Sequence, residues 1–152
     1  MPKSADLLDA NVWLALALEA HTQHLSAKAY WESDAAPTAA FCRVTQMTFL
    51  RLLTNKSVMG AHVLSPPTAW QKSEEFLALS EVQLLAEPHG IEDVWQEFVK
   101  IGRSSPNLWT DAYLAAFAMS AGLRLVTFDK GFSKFDGLDV LILDPRPLAR
   151  PG

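Results

Sequence analysis

The chain has 152 residues, 49% of them hydrophobic, which is enough for one domain with a sizeable core and too few for two ordinary domains. Its net charge of −4 argues against a domain that coats nucleic acid by bulk electrostatics, because such domains carry a basic excess. A single cysteine excludes an internal disulfide framework, no apolar run approaches the roughly 20 residues that cross a bilayer, and the first residues lack the apolar core of a secretory signal, so we expect a cytoplasmic protein.

The first half of the chain alternates between extended and helical patterns. Residues 5–9 form a short apolar run that predicts a buried strand, and residues 11–20 then carry apolar side chains at helical spacing. The helical pattern resumes in residues 21–33, and a proline separates it from a second predicted strand at residues 39–43. Residues 44–53 place apolar side chains on one face, which predicts an amphipathic helix.

The second half continues the alternation after a loop predicted at residues 55–68, where glycine and proline accumulate. Three helical patterns follow, beginning near Thr68, spanning residues 91–99, and running from a capping Asn107 to Gly122. Three short apolar runs predict strands at residues 82–85, 125–128 and 140–143. This alternation predicts a three-layer α/β/α sandwich with a mainly parallel sheet. We expect a single domain over residues 1–146 and an extended tail over residues 147–152.

Three aspartates that are far apart in the sequence stand at the ends of predicted elements. Asp9 ends the first strand, Asp111 opens an alanine-rich helix, and Asp129 follows the penultimate strand. In a parallel sheet wrapped by helices, the carboxyl ends of strands and the N-termini of neighbouring helices meet at one edge, where ligands bind. Clustered acids need a cation, and hard oxygen ligands favour Mg²⁺ or Mn²⁺ over zinc. The sequence therefore predicts a divalent metal site built from these three aspartates.

Other catalytic motifs are absent from the sequence. There is no GxSxG elbow, no glycine-rich phosphate loop and no CxxC pair, and Cys42 has no histidine near it in the sequence. His21 and His24 have helical spacing but lack a third zinc ligand nearby, so a solvated helix end explains them better. Covalent catalysis and zinc chemistry are therefore disfavoured.

Three segments carry a resemblance to a known family. They are LLDANVWLAL from Leu7, TQMTFLRLLTN from Thr45, and WTDAYLAAFAMSAGLRLVTFDKGF from Trp109. In order and spacing they resemble the PIN-domain family, and in particular the VapC-type ribonuclease toxins of type II toxin–antitoxin systems, over nearly the whole chain. The resemblance implies a compact α/β/α domain whose acidic pocket holds Mg²⁺ or Mn²⁺ and serves endoribonuclease chemistry.

The resemblance places three of the family's four acids on aspartates of this chain. The first falls on Asp9, the third on Asp111 and the fourth on Asp129, whereas the second, normally a glutamate, falls on Gln46. With one charge fewer, we expect one metal ion rather than two. The main alternative is a catalytically weakened PIN-fold binding module. A metal-dependent phosphatase is disfavoured, because Asn11 stands where its motif usually has a second aspartate.

The expected reaction is hydrolysis of an RNA phosphodiester by metal-activated water, with Asp9 and Asp111 holding the ion and Asp129 positioning the water. Further residues are candidates for supporting this chemistry. Asn11, Thr110 and Thr127 lie beside the acids and are candidates to hydrogen-bond them, Arg43 is a candidate for contact with phosphate, and Trp13 and Trp109 are candidates for base stacking. Caps, turns and core packing explain the same residue types equally well or better.

The partners follow from the resemblance as well. It implies an RNA substrate, a VapB-like antitoxin protein and a homodimer, and no membrane. Exposed apolar positions on the helices of residues 46–53 and 70–79 fit a protein partner, although amphipathic helices show the same pattern when they face their own core.

Overall fold

The structure is a computed structural model that describes residues 4–101 and 104–146. The predicted tail, residues 147–152, lies outside the described residues, and the boundary at residue 146 stays a prediction. No helix in the described part of the chain is both long enough and apolar enough to cross a membrane.

Five strands within these residues form one parallel sheet in the order β3-β2-β1-β4-β5. They are β1 (Ala5–Leu8), β2 (Thr38–Phe41), β3 (Val82–Leu84), β4 (Arg124–Thr127) and β5 (Val140–Ile142). The central strand β1 pairs with both β2 and β4, so Leu7 lies opposite Ala40 on one side and Leu125 on the other. A sheet covered on both faces needs nearly continuous apolar strands, and this is why the short apolar runs predicted the strands to within one or two residues.

Helices cover both faces of the sheet. They are α1 (Ala10–Ala17), α2 (His24–Ser33), α3 (Arg43–Leu53), α4 (Lys56–Met59), α5 (Pro66–Leu77), α6 (Ile91–Val99) and α7 (Leu108–Ala121), with 3₁₀ turns at Gly60–His62 and Lys130–Lys134. Leu7 and Leu125 pack with α6 and α7 in one core, whereas Leu8 and Val126 pack with α1, α3 and α5 in a second core. The predicted three-layer sandwich with a parallel sheet is confirmed.

The main departure from the sequence prediction is the segment expected to be a loop at residues 55–68. Asn55 instead caps α4, because its side chain accepts a hydrogen bond from the backbone nitrogen of Ser57 at 2.9 Å. Helix α5 begins at Pro66 rather than near Thr68, with Ser65 as its N-cap. Proline fits the first turn of a helix, because the backbone N–H groups there need no partner within the helix. The prolines therefore mark a helix start and not an irregular segment.

A buried ionic network ties the starts of β1 and β4 together. Asp6 is completely buried, and its carboxylate accepts hydrogen bonds from Arg124 Nε and Nη2, each at 2.9 Å, from the Tyr30 hydroxyl, and from the backbone nitrogen of Ala36 at 3.0 Å. Arg124 also donates to the carbonyl of Asp34 at 2.8 Å. The network satisfies the buried charge at the edge of the sheet opposite the three aspartates.

Candidate active site

Asp9 follows β1 directly and caps the N-terminus of α1. Its Oδ1 accepts a hydrogen bond from the backbone nitrogen of Ala10 at 2.8 Å, and its Oδ2 accepts one from the hydroxyl of Thr127 at 2.9 Å. Burial raises the pKa of Asp9, the two hydrogen bonds oppose that rise, and the negative charge of Asp129 adds to it. Asp9 is therefore a partly desolvated carboxylate whose orientation is fixed by two partners.

Thr127 connects Asp9 to the turn that carries Asp129. It is the last residue of β4 and is completely buried. Its hydroxyl donates to Asp9 and accepts from the backbone nitrogen of Asp129 at 3.0 Å. Asp129 in turn accepts from the backbone nitrogen of Gly131 at 2.8 Å through its Oδ1. One hydroxyl group thus holds the end of β1 against the turn after β4.

Asp111 lies half-buried in the first turn of α7, at the same edge of the sheet. Burial, followed by the negative charges of Asp9 and Asp129, raises the pKa of Asp111 to about 6, while the positive charge of Lys134 lowers it. The charge of Asp129 therefore makes both Asp9 and Asp111 harder to ionise, and the charge of Asp9 adds to the effect on Asp111. The structure brings the three aspartates together as one cluster of negative charge.

The three carboxylates are suitable ligands for a cation, but their arrangement in the described structure does not yet form a complete coordination site. Within residues 4–101 and 104–146, no three His, Cys, Asp or Glu side chains are already arranged to hold a metal ion. Both Asp9 oxygens and one Asp129 oxygen are occupied by protein donors. The donor set nevertheless fits a hard divalent cation, because it consists of carboxylate oxygens whose mutual repulsion a cation relieves.

The other predicted supporting residues have different environments. Thr127 binds a carboxylate as predicted, whereas Asn11 and Thr110 are exposed and hydrogen-bond none of the three acids in the described structure. Both lie in the first turn of a helix, where a side chain can face solvent. Trp13, a candidate for base stacking, instead has the alternative role of core packing: it is completely buried and stacks on Phe41 with ring centroids 3.9 Å apart.

Lys134 is a residue near the acids that the sequence did not indicate. It ends the 3₁₀ turn after Asp129, its ammonium lies 5.2 Å from the centroid of the Phe135 ring, and its charge lowers the pKa of Asp111. Four residues lie between Asp129 and Lys134, and the tight 3₁₀ turn brings Lys134 back towards the acids. No residue pattern in the sequence distinguishes it from other exposed lysines.

Comparison with known proteins shows which family the chain belongs to. A sequence model of the PIN domain matches residues 7–138. The chain belongs to the PIN domain family. It is 42% identical to Ribonuclease VapC41 of Mycobacterium tuberculosis over 142 residues, which cover 90% of this chain and 97% of that protein.

Solved structures agree with this PIN domain in fold. VapC20 of Mycobacterium tuberculosis, described as a sarcin-ricin loop cleaving toxin, matches with a TM-score of 0.65 at 20% identity and covers 89% of this chain and 98% of that one. A toxin–antitoxin complex from Klebsiella pneumoniae matches with a TM-score of 0.56 at 22% identity and covers 90% and 95%. At these identities the likeness establishes the fold alone.

Gln46 occupies the position where the PIN domain resemblance places a glutamate. It is buried on α3, its Oε1 accepts a hydrogen bond from Arg43 Nη1, and its Nε2 donates to the hydroxyl of Ser73 at 3.1 Å. Arg43 and Gln46 therefore share a helix face of α3. Both ends of the amide have protein partners, and neither hydrogen-bonds the three aspartates in the described structure.

Proposed function

We propose that this PIN domain is the endoribonuclease toxin of a VapBC pair, and that it hydrolyses RNA phosphodiester bonds with a divalent cation at Asp9, Asp111 and Asp129. PIN-domain VapC ribonucleases depend on divalent metals, and VapC41 is 42% identical over 90% of the chain. The observation that carries the assignment of the site is the convergence of three carboxylates at one edge of the sheet, where burial and the charge of Asp129 raise the pKa of Asp9, and burial and the charges of Asp9 and Asp129 raise the pKa of Asp111. Such uncompensated charge is the environment in which a cation binds.

The aspartates have distinct roles in the proposed reaction. Asp9 and Asp111 would hold the ion, and Asp129, with one oxygen on the Gly131 N–H, keeps its second oxygen for orienting water. A bound Mg²⁺ or Mn²⁺ supplies Lewis-acid activation of water and phosphate. Thr127 keeps the Asp9 carboxylate in one orientation. Arg43, held by Gln46, is our candidate for contact with an RNA phosphate.

The proposed partners are a VapB-like antitoxin protein and a second copy of the chain. Met47 on α3 and Trp70 on α5 are 47% and 50% exposed, although both are large apolar side chains. Such side chains on neighbouring helices are typical of a surface that another protein covers. Because the proposed substrate is RNA, we expect the reaction to take place in the cytoplasm. Size-exclusion chromatography with light scattering tests the dimer, and a monomer mass at micromolar concentration contradicts it.

The function is tested by incubating the purified protein with total RNA in Mg²⁺, in Mn²⁺ and in excess chelator. We expect fragments with either metal and none with chelator. A phosphomonoester such as p-nitrophenyl phosphate, tested in parallel, should remain intact, and its hydrolysis would favour the phosphatase alternative. Intact RNA under all conditions, together with metal-independent binding of RNA or antitoxin, would identify the binding module instead.

We expect Thr127→Val to lower RNA cleavage by about 10- to 100-fold, the range typical when a residue that orients a metal ligand is removed. Valine has nearly the same shape as threonine but leaves Asp9 Oδ2 and the Asp129 N–H without their partner. Losing both hydrogen bonds should also reduce the free energy of unfolding by about 1–3 kcal/mol. Thr127→Ser, which keeps the hydroxyl, is the matched control. Equal activity of the valine and serine variants would show that the hydroxyl has no positioning role.

The affinity for metal should depend on pH through Asp111. Its pKa of about 6 means that protons compete with the cation below that pH, so affinity should fall about tenfold per pH unit from pH 6 downwards. In the metal-free protein the folded state binds more protons than the unfolded state between the ordinary value of 3.8 and about 6, so this group's contribution to stability is lost as pH rises through that window. Calorimetric titration with Mn²⁺ at pH 5 to 7.5 measures the first effect, and an affinity unchanged between pH 5 and 6 would contradict it.

A further inference from the structure

An exposed tryptophan stands at the start of α7, in the same helical turn as Asp111. Trp109 is 61% exposed and precedes Asp111 by two residues, which is about 3 Å along the helix axis. Two hollows of about 360 and 510 Å³ adjoin its side chain. The smaller hollow is lined by Val44, Glu87, Trp95, Trp109, Thr110 and Tyr113. Because Thr110 lines the hollow and Asp111 is the next residue of α7, the hollow adjoins the helical turn that carries Asp111.

The walls of the smaller hollow are fixed by contacts within the protein. Trp95 Nε1 donates a hydrogen bond to the backbone oxygen of Trp109 at 3.0 Å, which ties α6 to the first turn of α7. The Trp95 and Tyr113 rings pack edge to face with centroids 5.2 Å apart. The Tyr113 hydroxyl donates to Glu87 Oε1 at 2.7 Å. The aromatic surface is thus ordered before any ligand arrives.

We propose that this hollow binds an unpaired nucleobase of the RNA substrate, next to the phosphate that is cleaved, with the base stacked on Trp109. The inference rests on the proposed ribonuclease function and adds a substrate subsite to it. Base stacking on exposed aromatic side chains is a general means of binding single-stranded RNA. It accepts any of the four bases, because every base has an aromatic face.

The charges around the hollow favour a base over a phosphate. Glu87 lines it and Asp111 follows Thr110, so negative groups border the space that an RNA chain would enter. A neutral base is accepted there while a phosphate is repelled. Tyr113 is the only group of the described structure that hydrogen-bonds the Glu87 side chain, and the carboxylate therefore retains capacity to accept an N–H from a base edge.

Binding of RNA without cleavage tests the subsite. All proteins carry Asp9→Asn so that labelled random-sequence octaribonucleotides stay intact, and affinity is measured by fluorescence anisotropy in Mg²⁺. Trp109→Ala should weaken binding about 5- to 100-fold, the range expected for one lost stacked base. Trp109→Phe should retain most of the affinity because it keeps an aromatic face. Val58→Ala is the control and should leave affinity unchanged, because Val58 is a 49% exposed apolar residue on α4, which packs on the opposite face of the sheet from α7.

The outcomes separate the subsite from the ribonuclease itself. Equal affinities for the Trp109→Ala and Val58→Ala variants would overturn the subsite, whereas metal-dependent cleavage by the unsubstituted protein would still support the ribonuclease. Binding that depends on Trp109 in a protein that cleaves no RNA would support the subsite and overturn the enzyme. If Trp109→Ala weakened capture of the antitoxin but not of RNA, the hollow would belong to a protein partner and the proposal would fail. Circular dichroism confirms that each variant is folded.

Discussion

Replacing Asp9 by asparagine should lower metal-dependent RNA cleavage by on the order of 10³-fold, because a metal ion contributes several kcal/mol to stabilising the charge of a phosphoryl transition state. The substitution removes one of three charges from the cluster and changes the shape of the side chain very little. Its effect should appear as lost activity at every metal concentration. Initial rates of fragment formation, measured over a titration with Mg²⁺ and Mn²⁺, give the size of the loss.

The fold should tolerate this substitution. Asparagine is a good N-cap, and its amide oxygen can still accept from the backbone nitrogen of Ala10. Burial already raises the pKa of Asp9, so replacing the charge by a neutral amide relieves a desolvation cost. With the amide oxygen on the Ala10 N–H, the amide nitrogen faces the Thr127 hydroxyl, which accepts from it instead of donating, so that contact is kept with its direction reversed. The thermal midpoint of the metal-free variant should therefore equal or exceed that of the parent.

The matched control for Asp9→Asn is the same substitution at an aspartate outside the acidic cluster. Asp34 is exposed at the end of α2, beside the Asp6 network, and Asp34→Asn makes the same chemical change away from the cluster. Its cleavage rate should stay within about twofold of the parent, as expected for a surface substitution within about 0.5 kcal/mol. If Asp9→Asn retained the activity of Asp34→Asn, the metal would have to bind without Asp9 and the proposed site would be wrong.

The positions of the strands and the convergence of the three aspartates could be predicted from the sequence, and the reason is physical. A sheet covered on both faces leaves short apolar runs, and its topology brings the residue after each strand and the first turn of each helix to one edge. Asp9, Asp111 and Asp129 occupy such positions, so their convergence was predictable without knowing any side-chain contact. Which cation binds and how tightly depends on distances that no pattern encodes.

Contacts between elements distant in the sequence were beyond prediction. Trp95 and Trp109 belong to different helices, and the hydrogen bond that joins them follows from how α6 packs on α7. The hydrogen bond from Gln46 to Ser73 could not be inferred either, because it depends on how α3 packs against α5, 27 residues further along the chain. The residue type at a position limits which hydrogen bonds its side chain can form, but the packing of the helices determines which partners it contacts.

Arg124→Met should reduce the free energy of unfolding by about 3 kcal/mol, the lower end of the range for leaving a buried charge without its partner. Asp6 is completely buried, whereas 25% of the Arg124 side chain is exposed, so water can replace part of what is lost. The Tyr30 hydroxyl and the Ala36 N–H would remain on the carboxylate. For a chain of this size such a loss lowers the thermal midpoint by roughly 6–12 °C. Urea unfolding monitored by circular dichroism measures the change.

Two comparisons test whether the burial of Asp6, and not the ion pair alone, determines the loss of stability in Arg124→Met. Lys28→Met breaks the exposed pair of Lys28 with Glu32, whose side chains are 56% and 60% exposed, and should cost no more than about 0.5 kcal/mol. Cleavage by folded Arg124→Met should match the parent, because Asp6 lies near the start of β1 and Asp9 directly after its end. If Arg124→Met and Lys28→Met proved equally stable, water would have to reach the Asp6 carboxylate in the folded protein. The network would then add little to holding β1 against β4, and the rigidity of the edge that carries Asp9 would have to come from the apolar contacts of Leu7 and Leu8 alone.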